Sequence, residues 1–268
     1  MSAAVTTAEA RDARIPFGAV RDTFAVAKRG LYAYLRVPQL LVFSTIQPVI
    51  FVLMFRYVFG GAIELDGPVD YVDFLMPGIF VQTVVFGAIA TAIGLATDMK
   101  SGLMERFHAL PMSRAAVLTG RTLADLVRNV FVVVLMMVVG FAVGWRIHTD
   151  VLGLLAGAGL VLLFGYAMSW IFATVGLAVG DPETAQAAAF PVLAPLVFAS
   201  AAFVPLESMP SWLQVFAEHQ PVSVTAEAVR DLTIGGPAAS HVLQALGWDL
   251  GILLVFGFLA VRLYRRTG

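Results

Sequence analysis

The sequence predicts an all-α integral membrane protein with six transmembrane helices and with both termini in the cytoplasm. Three observations support this prediction: the composition, six long apolar blocks, and basic residues concentrated on one side. Of 268 residues, 59% are hydrophobic and 13% are charged. Soluble domains average about 25% charged residues, so lipid must be the solvent for much of this chain. There is no cysteine, which excludes a disulfide framework, cysteine-ligated zinc and thiol catalysis.

Residues 15–37 predict an amphipathic helix lying along the inner membrane surface. Lys28 falls within its apolar face and would have to extend its ammonium group to water. An ordinary basic flank before the first span is an equally good interpretation. Residues 1–14 contain no apolar stretch that would form a signal peptide. The residues expected on the apolar face are Phe17, Val20, Phe24, Ala27, Leu31 and Leu35.

Six apolar blocks follow, and each is long enough to cross about 30 Å of hydrocarbon as a helix. Pro191 and Pro195 should kink or break the fifth span. The third block starts with a mixed segment, Arg121, Asp125 and Arg128, which we expect to begin in the cytoplasmic headgroup layer. The predicted spans are 38–60, 74–97, 123–145, 151–179, 184–205 and 243–263.

These spans give three predicted regions. A cytoplasmic tail with the interfacial helix occupies 1–37, a six-helix transmembrane domain occupies 38–263, and a second cytoplasmic tail occupies 264–268.

The orientation follows from the lysines and arginines, which concentrate in cytoplasmic segments. Fourteen of the 17 basic residues lie in the N-terminal flank, in the loop after the second span with the start of the third, or at the C-terminus. Both termini are therefore predicted to be cytoplasmic, in agreement with an even number of spans. The opposite side has only Arg56, Arg146 and Arg230.

The segment 98–121 is a polar, basic island between two apolar blocks. On a helical wheel Leu103, Met104, Phe107 and Leu110 share one face, and Glu105, Arg106 and His108 share the other. Pro111 ends this short helix, and Ser113 can cap a new one that starts at Arg114. The segment has more structure than a loop that only sets topology, which favours a docking role.

The segment 206–241 is the longest connection on the other side. Its prolines predict two short helices broken at Pro221, the first opened by Pro210 and Ser211. Neither helix is long enough to cross a bilayer.

The sequence contains no catalytic or nucleotide-binding motif. Neither Lys28 nor Lys100 follows a glycine, so there is no P-loop. The four histidines are scattered, without the spacing of a metal site. We therefore expect that the chain is not an enzyme.

Polar residues at membrane depth are a second place to look for function. Arg56 and Asp249 could form a gate; the favoured interpretation is that Arg56 extends to water and Asp249 belongs to the interface. Gln47, Gln82, Tyr166 and Ser169 could line a pathway, although such residues more often join helices.

Two stretches resemble those of a known family, the permease subunits of ABC-2 type exporters, especially the daunorubicin/doxorubicin-resistance group. Met104-Glu-Arg-Phe-His-Ala-Leu-Pro-Met-Ser-Arg114 is similar to the family's E-R-x-x-x-L-P-x-S-R segment. Pro205-Leu-Glu-Ser-Met-Pro-Ser-Trp-Leu213, continued by Gln220-Pro221 and Ala226-Glu-Ala-Val-Arg-Asp-Leu232, is similar to the stretch between spans five and six. Gln220 stands where asparagine is usual.

The resemblance implies that residues 99–112 form a coupling helix, received in a cleft of a separate ATP-binding subunit. The implied contacts are Lys100, Leu103, Met104, Glu105, Arg106, Phe107, Leu110, Pro111 and Arg114. It also implies short re-entrant outer helices over 206–232, a segment marked by Pro205, Met209, Pro210, Trp212, Pro221, Glu227 and Arg230.

The implied assembly has two ATPase subunits and two permeases, as a homodimer or a related heterodimer. ATP and magnesium would bind to the partner, while this chain would bind no cofactor and no nucleic acid. The expected function is export of an amphipathic small molecule, a drug, an antibiotic or a lipid-like compound, across a bacterial plasma membrane. An ion-coupled carrier and a membrane scaffold without cargo remain alternatives. The carrier should have carboxylates or histidines near mid-span, and the sequence places none there.

Overall fold

A computed structural model of the chain describes residues 16–36, 38–61, 69–105 and 114–266. Within these ranges the chain is helical with connecting turns and contains no strand, which confirms the all-α class. The helices are α1 (Pro16–Arg36), α2 (Pro38–Met54, continued by a π-helical turn Phe55–Phe59), α3 (Tyr71–Lys100), α4 (Arg114–Ala142), α5 (Val151–Val179), α6 (Pro182–Phe198), a 3-10 turn (Leu206–Ser208), α7 (Ser211–His219), α8 (Pro221–Ile234) and α9 (Ala238–Arg266).

Four of these helices, α3, α4, α5 and α9, are long and apolar enough to cross a membrane. The apolar part of α2, together with its π-helical turn, is shorter, and α6 has 17 residues. The count of six spans and the division into three regions therefore stay predictions. The bounds of α5 match the predicted 151–179. Helix α4 begins at Arg114, the predicted start of the helix after Pro111, and it continues without a break into the predicted third span.

The two ends of the bundle differ in their chemistry. At one end Arg29 of α1 and Arg121 of α4 approach Asp98 of α3; we call this the basic end. At the opposite end the Asp73 carboxylate of α3 lies 2.7 Å from Nε2 of His148. The structure thus brings α1 and the end of α3 together, and the side of the membrane on which they lie stays a prediction.

Helix α3 is the central helix, and it packs on α4, α5, α6 and α8. Its approaches are close because glycines face carbonyl groups. A methyl group at Gly78 would overlap the Ala202 carbonyl, and one at Gly176 of α5 would overlap the Ala92 carbonyl. Such contacts between small residues let helix backbones meet directly, as is common in membrane bundles.

Helix α6 contains Pro191 and Pro195 and ends at Phe198, seven residues before the predicted end of the fifth span at 205. The missing proline N–H groups and the stop leave carbonyl oxygens without helical partners. The side-chain amide of Gln220 donates to the carbonyls of Leu196 and Ala199, at 3.0 and 3.3 Å. The hydroxyl of Tyr71 donates to the Phe203 carbonyl at 3.0 Å. Side-chain donors therefore replace the backbone hydrogen bonds that a longer helix would have made.

Arg230 of α8 completes this replacement. It is 4% exposed, and its Nη2 donates to the carbonyls of Ala201 and Ala202, at 2.6 and 3.1 Å. Its Nε donates to the Phe74 carbonyl at 2.9 Å, and its guanidinium lies 3.6 Å from the centre of the Phe74 ring. Its Nη1 donates to Glu227 at 2.6 Å. One side chain therefore ties α8, the start of α3 and the segment after α6 together.

Replacing Arg230 by lysine keeps the charge but loses the planar set of donors. We expect Arg230→Lys to destabilise the fold by about 3 kcal/mol, because buried carbonyls lose their donors. Thermal unfolding of the detergent-solubilised protein, followed by tryptophan fluorescence, measures this. Arg262→Lys, at an exposed arginine of α9, is the matched control and should unfold like the parent. Equal unfolding temperatures for the two variants would contradict this role of Arg230.

Candidate functional site

Helix α1 lies along α4 at the basic end. A methyl group at Gly120 of α4 would overlap the Thr23 carbonyl and the Val26 side chain, and one at Gly30 would meet Ala124. Ala27 is buried at 4% exposure. The predicted apolar face of α1 is therefore divided into a buried part at Ala27 and an exposed part, where Val20 and Phe24 are 56% and 62% exposed. The exposed pair is available to lipid, whereas the glycine-lined face holds α1 on the bundle.

A chain of charges joins α1 to α3 and α4. The guanidinium groups of Arg29 and Arg121 lie 3.6 and 3.5 Å from the two carboxylate oxygens of Asp98. Gly94 makes room for Arg121, because a methyl group there would overlap its guanidinium. Asp98 therefore bridges two helices that the sequence separates widely.

Asp125 of α4, which is fully buried, extends this chain of charges inward. It accepts hydrogen bonds of 2.6 Å from the hydroxyls of Tyr34 in α1 and Thr91 in α3. Arg121 lies 3.9 Å from the same carboxylate. Burial, and secondly the neighbouring Asp125 carboxylate, raise the pKa of Tyr34, so its hydroxyl stays a donor. We call Arg29, Tyr34, Asp98, Arg121 and Asp125 the charged junction.

Arg128 is buried between α4 and the middle of α3. Its Nη2 donates to the carbonyl of Gly87, midway along α3, at 2.7 Å and to the Asn129 side chain at 3.1 Å. The segment that begins at Arg121 therefore reaches the middle of the bundle at Arg128. Arg128 borders a cavity of about 110 Å³ with Gln47 and Gln82, which has room for roughly three water molecules. Two of the four predicted pathway residues therefore meet at one polar cavity.

The other two predicted pathway residues lie elsewhere. Tyr166 packs against Trp170, with ring centres 6.3 Å apart. Ser169 is buried and donates to the Gly165 carbonyl of its own helix at 2.9 Å. Both therefore belong to helix packing, and neither borders the cavity beside Arg128.

The predicted coupling segment begins with a sharp turn after α3. Gly102 has a φ of +69°, a left-handed conformation that glycine adopts without strain. Met104 is 3% exposed and packs in a cluster with Leu118 of α4 and Tyr264 of α9. Glu105 is exposed and Leu103 is half-buried. The start of the segment is thus anchored by one side chain and presents the next to solvent.

Lys100 at the end of α3 is already paired within the chain. Its ammonium lies 2.7 Å from Asp181, which also caps α6 by accepting a hydrogen bond from the Thr184 amide at 3.1 Å. The hydrogen bonds from Lys100 and Thr184 lower the pKa of Asp181 well below its usual range. The pair connects α3 to the α5–α6 turn on the basic end.

Several predicted contacts, Arg106, Phe107, Leu110 and Pro111, lie outside the described residues, as do His108 and Ser113. Arg114 begins α4, but its side chain is also outside them.

The opposite end confirms the two predicted short helices, α7 and α8, which meet at Pro221. Pro210 directly precedes α7, and Trp212 is 74% exposed. Pro205 and Met209 flank the 3-10 turn.

Two adjoining cavities open beside these helices. One, of about 950 Å³, is bordered by Glu207, Glu218 and Glu227 and by Phe74 and Trp248; we call it the acidic cavity. The other, of about 760 Å³, lies among α5, α6, α7 and α9; we call it the apolar cavity. His219 and Trp248 border both. Nothing in the sequence pattern indicated either cavity, because their walls come from segments far apart in the chain.

Asp249 is buried against the rest of the bundle, and its depth in the membrane stays a prediction. It is 1% exposed, and neither carboxylate oxygen has a hydrogen-bond partner among the described residues. Arg56 is half-buried at the end of α2 and makes no ion pair with Asp249. A buried carboxylate on a membrane helix is unusual and is often functional.

Sequence reasoning missed the charged junction and the central role of Arg230. The spacing of Arg121, Asp125 and Arg128 was a usable signal, since residues three and four apart share a helix face. A polar stripe on one face of an apolar helix indicates a buried partner rather than a headgroup. The partners Tyr34 and Phe74 carried no local signal.

Tyr34→Phe removes the hydroxyl that donates to Asp125 and keeps the ring. We expect a loss of about 1.5–3 kcal/mol, the usual size for a hydrogen bond to a charged group. The variant should unfold at a lower temperature and exchange the amide hydrogens of α1 faster. Tyr32→Phe is the matched control on the same helix, because Tyr32 is 51% exposed. The junction would lose its support if both variants exchanged like the parent.

Comparison with known proteins identifies the family. A family model for ABC-2 type transporters matches residues 21–234. The daunorubicin resistance ABC transporter permease protein DrrB1 of Streptomyces coeruleorubidus is 36% identical over 247 residues, covering 92% of this chain and 87% of that protein. The probable doxorubicin resistance ABC transporter permease protein DrrC of Mycobacterium tuberculosis is 28% identical over 224 residues, covering 84% and 81%.

A more distant relative is the putative transport permease ycf38 of Cyanophora paradoxa, 26% identical over 260 residues, covering 92% of this chain and 89% of that protein. The apolar helices and these relatives indicate a multi-pass membrane protein. The match over residues 21–234 includes both motifs noted in the sequence, and the chain belongs to the ABC-2 type transporter family.

Proposed function

We propose that this chain is the permease subunit of an ATP-driven exporter that moves an amphipathic small molecule out of the cytoplasm or the inner leaflet. The names of the relatives, which are resistance permeases for daunorubicin and doxorubicin, support a drug-like or lipid-like cargo. The proposed site of action is a bacterial plasma membrane, with the basic end in the cytoplasm.

The observation that carries the proposal is the anchored start of the coupling segment. Met104 is fixed in a cluster shared with α4, α5 and α9, and the neighbouring Glu105 is exposed. A partner that gripped Glu105 and the following residues would therefore pull on several helices at once. The charged junction would carry the same motion to α1, because Asp98 joins α1, α3 and α4 through Arg29 and Arg121.

The partner would be a separate ATP-binding subunit, which would hold ATP and magnesium and perform the hydrolysis. Two copies of this chain, or this chain and a related one, would complete the exporter. ATP binding would close the partner subunits and favour one of two arrangements of the permease. The contact residues on this chain are proposed to be Leu103, Glu105, Arg106, Phe107, Leu110, Pro111 and Arg114, with Lys100 and Met104 fixing the base of the segment.

Charge reversal in the coupling segment tests this. We expect Glu105→Lys or Arg106→Glu to weaken association with the ATP-binding subunit by roughly tenfold and to stop export, since like charges would then face each other. Pull-down of a co-expressed ATP-binding subunit measures association. Asp70→Lys is the control, because Asp70 is exposed at the opposite end. Normal recovery of the ATPase by both segment variants would count against the proposal.

Asp249 favours a second candidate function, an ion-coupled carrier. A buried carboxylate without a partner could take up and release a proton during transport. The carrier was disfavoured on the sequence because no carboxylate or histidine was expected near the centre of a span. Asp249 lies near the end of its predicted span, but it is buried and has no partner among the described residues, which favours this second candidate.

The energy source separates the two functions. We expect export from inverted vesicles to continue with ATP after ionophores collapse the proton and sodium gradients, and Asp249→Asn to retain most of it. Amide and carboxyl groups have nearly the same shape, so the substitution removes ionisation with little change in packing. Export that stopped with the gradient, and that was abolished in Asp249→Asn, would establish the carrier instead. If the vesicles move no cargo with either ATP or an ion gradient, the remaining interpretation is a membrane scaffold without cargo.

A further inference from the structure

The acidic cavity and the apolar cavity adjoin, and their combined lining is amphipathic. They share His219 and Trp248, which lie between them. From Trp248 to Phe256 the apolar cavity follows α9 for about 12 Å, at 1.5 Å per residue. Together they provide a polar compartment at the opposite end and an apolar compartment that runs along α9 beside α5, α6 and α7. Cavities of about 950 and 760 Å³ are in the range that holds drug-sized ligands.

The charge of the acidic cavity selects the ligand. Glu227 is neutralised by Arg230, whose Nη1 donates to it at 2.6 Å. Glu207 and Glu218 have no ion-pair partner among the described residues, and no lysine or arginine borders this cavity. Of its two aromatic residues, Phe74 already has the Arg230 guanidinium over its ring, which leaves Trp248 as the aromatic side chain that can attract a further cation. A cationic group is therefore favoured, and an anionic group is repelled.

The apolar cavity suits the rest of such a ligand. Its walls carry Ile171, Val192, Leu196 and Ile252, and Phe216 and Phe256 supply aromatic surface. Gln220, the polar side chain at its edge, is already committed: its amide donates to backbone carbonyls and its oxygen accepts from the Val222 amide at 3.2 Å. An apolar body can therefore bind there without leaving the Gln220 side chain unpaired.

We propose that these two cavities bind an amphiphile with a positive charge, the cationic group in the acidic cavity and the apolar body in the apolar cavity. This inference rests on the proposed export function where it identifies the ligand as cargo, at a site on the end opposite the charged junction. The same chemistry occurs in a soluble organic amine and in a lipid with a trimethylammonium headgroup.

Trp248 lies where the cavities meet, so it reports on occupancy. The test uses the full chain in nanodiscs of phosphatidylglycerol, titrated with dodecyltrimethylammonium that carries a bromine atom on its tail, which quenches tryptophan on contact. We expect saturable quenching, which Trp248→Phe should abolish. Brominated dodecanoate, the matched anion, should give only weak, non-saturating quenching.

The double variant Glu207→Gln, Glu218→Gln should weaken saturable binding of the cation by roughly tenfold, the size expected for removing two partly exposed charges. Both side chains are exposed, so folding should be unaffected, and the unfolding temperature checks this. Glu183→Gln is the control, because Glu183 is an exposed acid on the basic end. Equal binding of cation and anion, unchanged binding by the double variant, or no saturable quenching would overturn the inference.

Nanodiscs that also contain phosphatidylcholine distinguish the two sources of the ligand. If phosphatidylcholine competes with the brominated cation, the site exists and its occupant is a lipid. If the cation binds as well as before, the site exists and its occupant is a soluble amphiphile. This experiment needs no ATP-binding subunit. Failure of the binding test would leave ATP-driven export standing, whereas recovery of the ATPase by the Glu105 and Arg106 variants would remove the export proposal and leave the binding result intact.

Discussion

The hydrogen bonds made to the carbonyl groups released where α6 stops are the constraint on which the rest of the structure depends. Hydrocarbon offers no donor, so irregular backbone at membrane depth must be satisfied from within the protein. Arg230, in α8, and Gln220, which caps the start of α8, donate these hydrogen bonds. The short helices α7 and α8 therefore have a structural role. They are folded against the bundle because the interrupted helix requires donors there.

The same requirement, that buried polar groups have partners, applies at the basic end. Charged side chains enter the bundle there only where each finds a partner: Asp98 between two arginines, and Asp125 between two hydroxyls and Arg121. Buried pairs of this kind contribute little net stability, because desolvation offsets much of the attraction. Their contribution is to geometry. A helix shift that separated a buried charge from its partner would cost free energy, so the helices are held in one register. Glycines at 94 and 120 make the close approach possible.

Local chemistry in the sequence predicted a large part of the fold. The bounds of α5 follow from Asp150, whose side chain accepts from the Gly153 amide, and from the left-handed Gly180 that ends the helix. Prolines 210 and 221 marked α7 and α8 correctly. Long-range pairing could not be predicted in this way. Tyr34 finds Asp125 and Arg230 finds Phe74 across sequence separations of 91 and 156 residues, and apolar periodicity states only that a face is buried, not what covers it. The candidate site divides in the same manner, because the coupling segment has a local signature and the cavities have none.

The length of α3 has a consequence for the distant cavities. With 30 residues it is about 45 Å long, so a tilt of about 5° around its basic end moves its first turn by about 4 Å. That turn carries Phe74, which forms a wall of the acidic cavity and supports the guanidinium of Arg230. A rotation small enough to preserve contacts near its pivot would therefore resize the chamber beside Trp248, exchanging a tight grip on a bound molecule for a loose one.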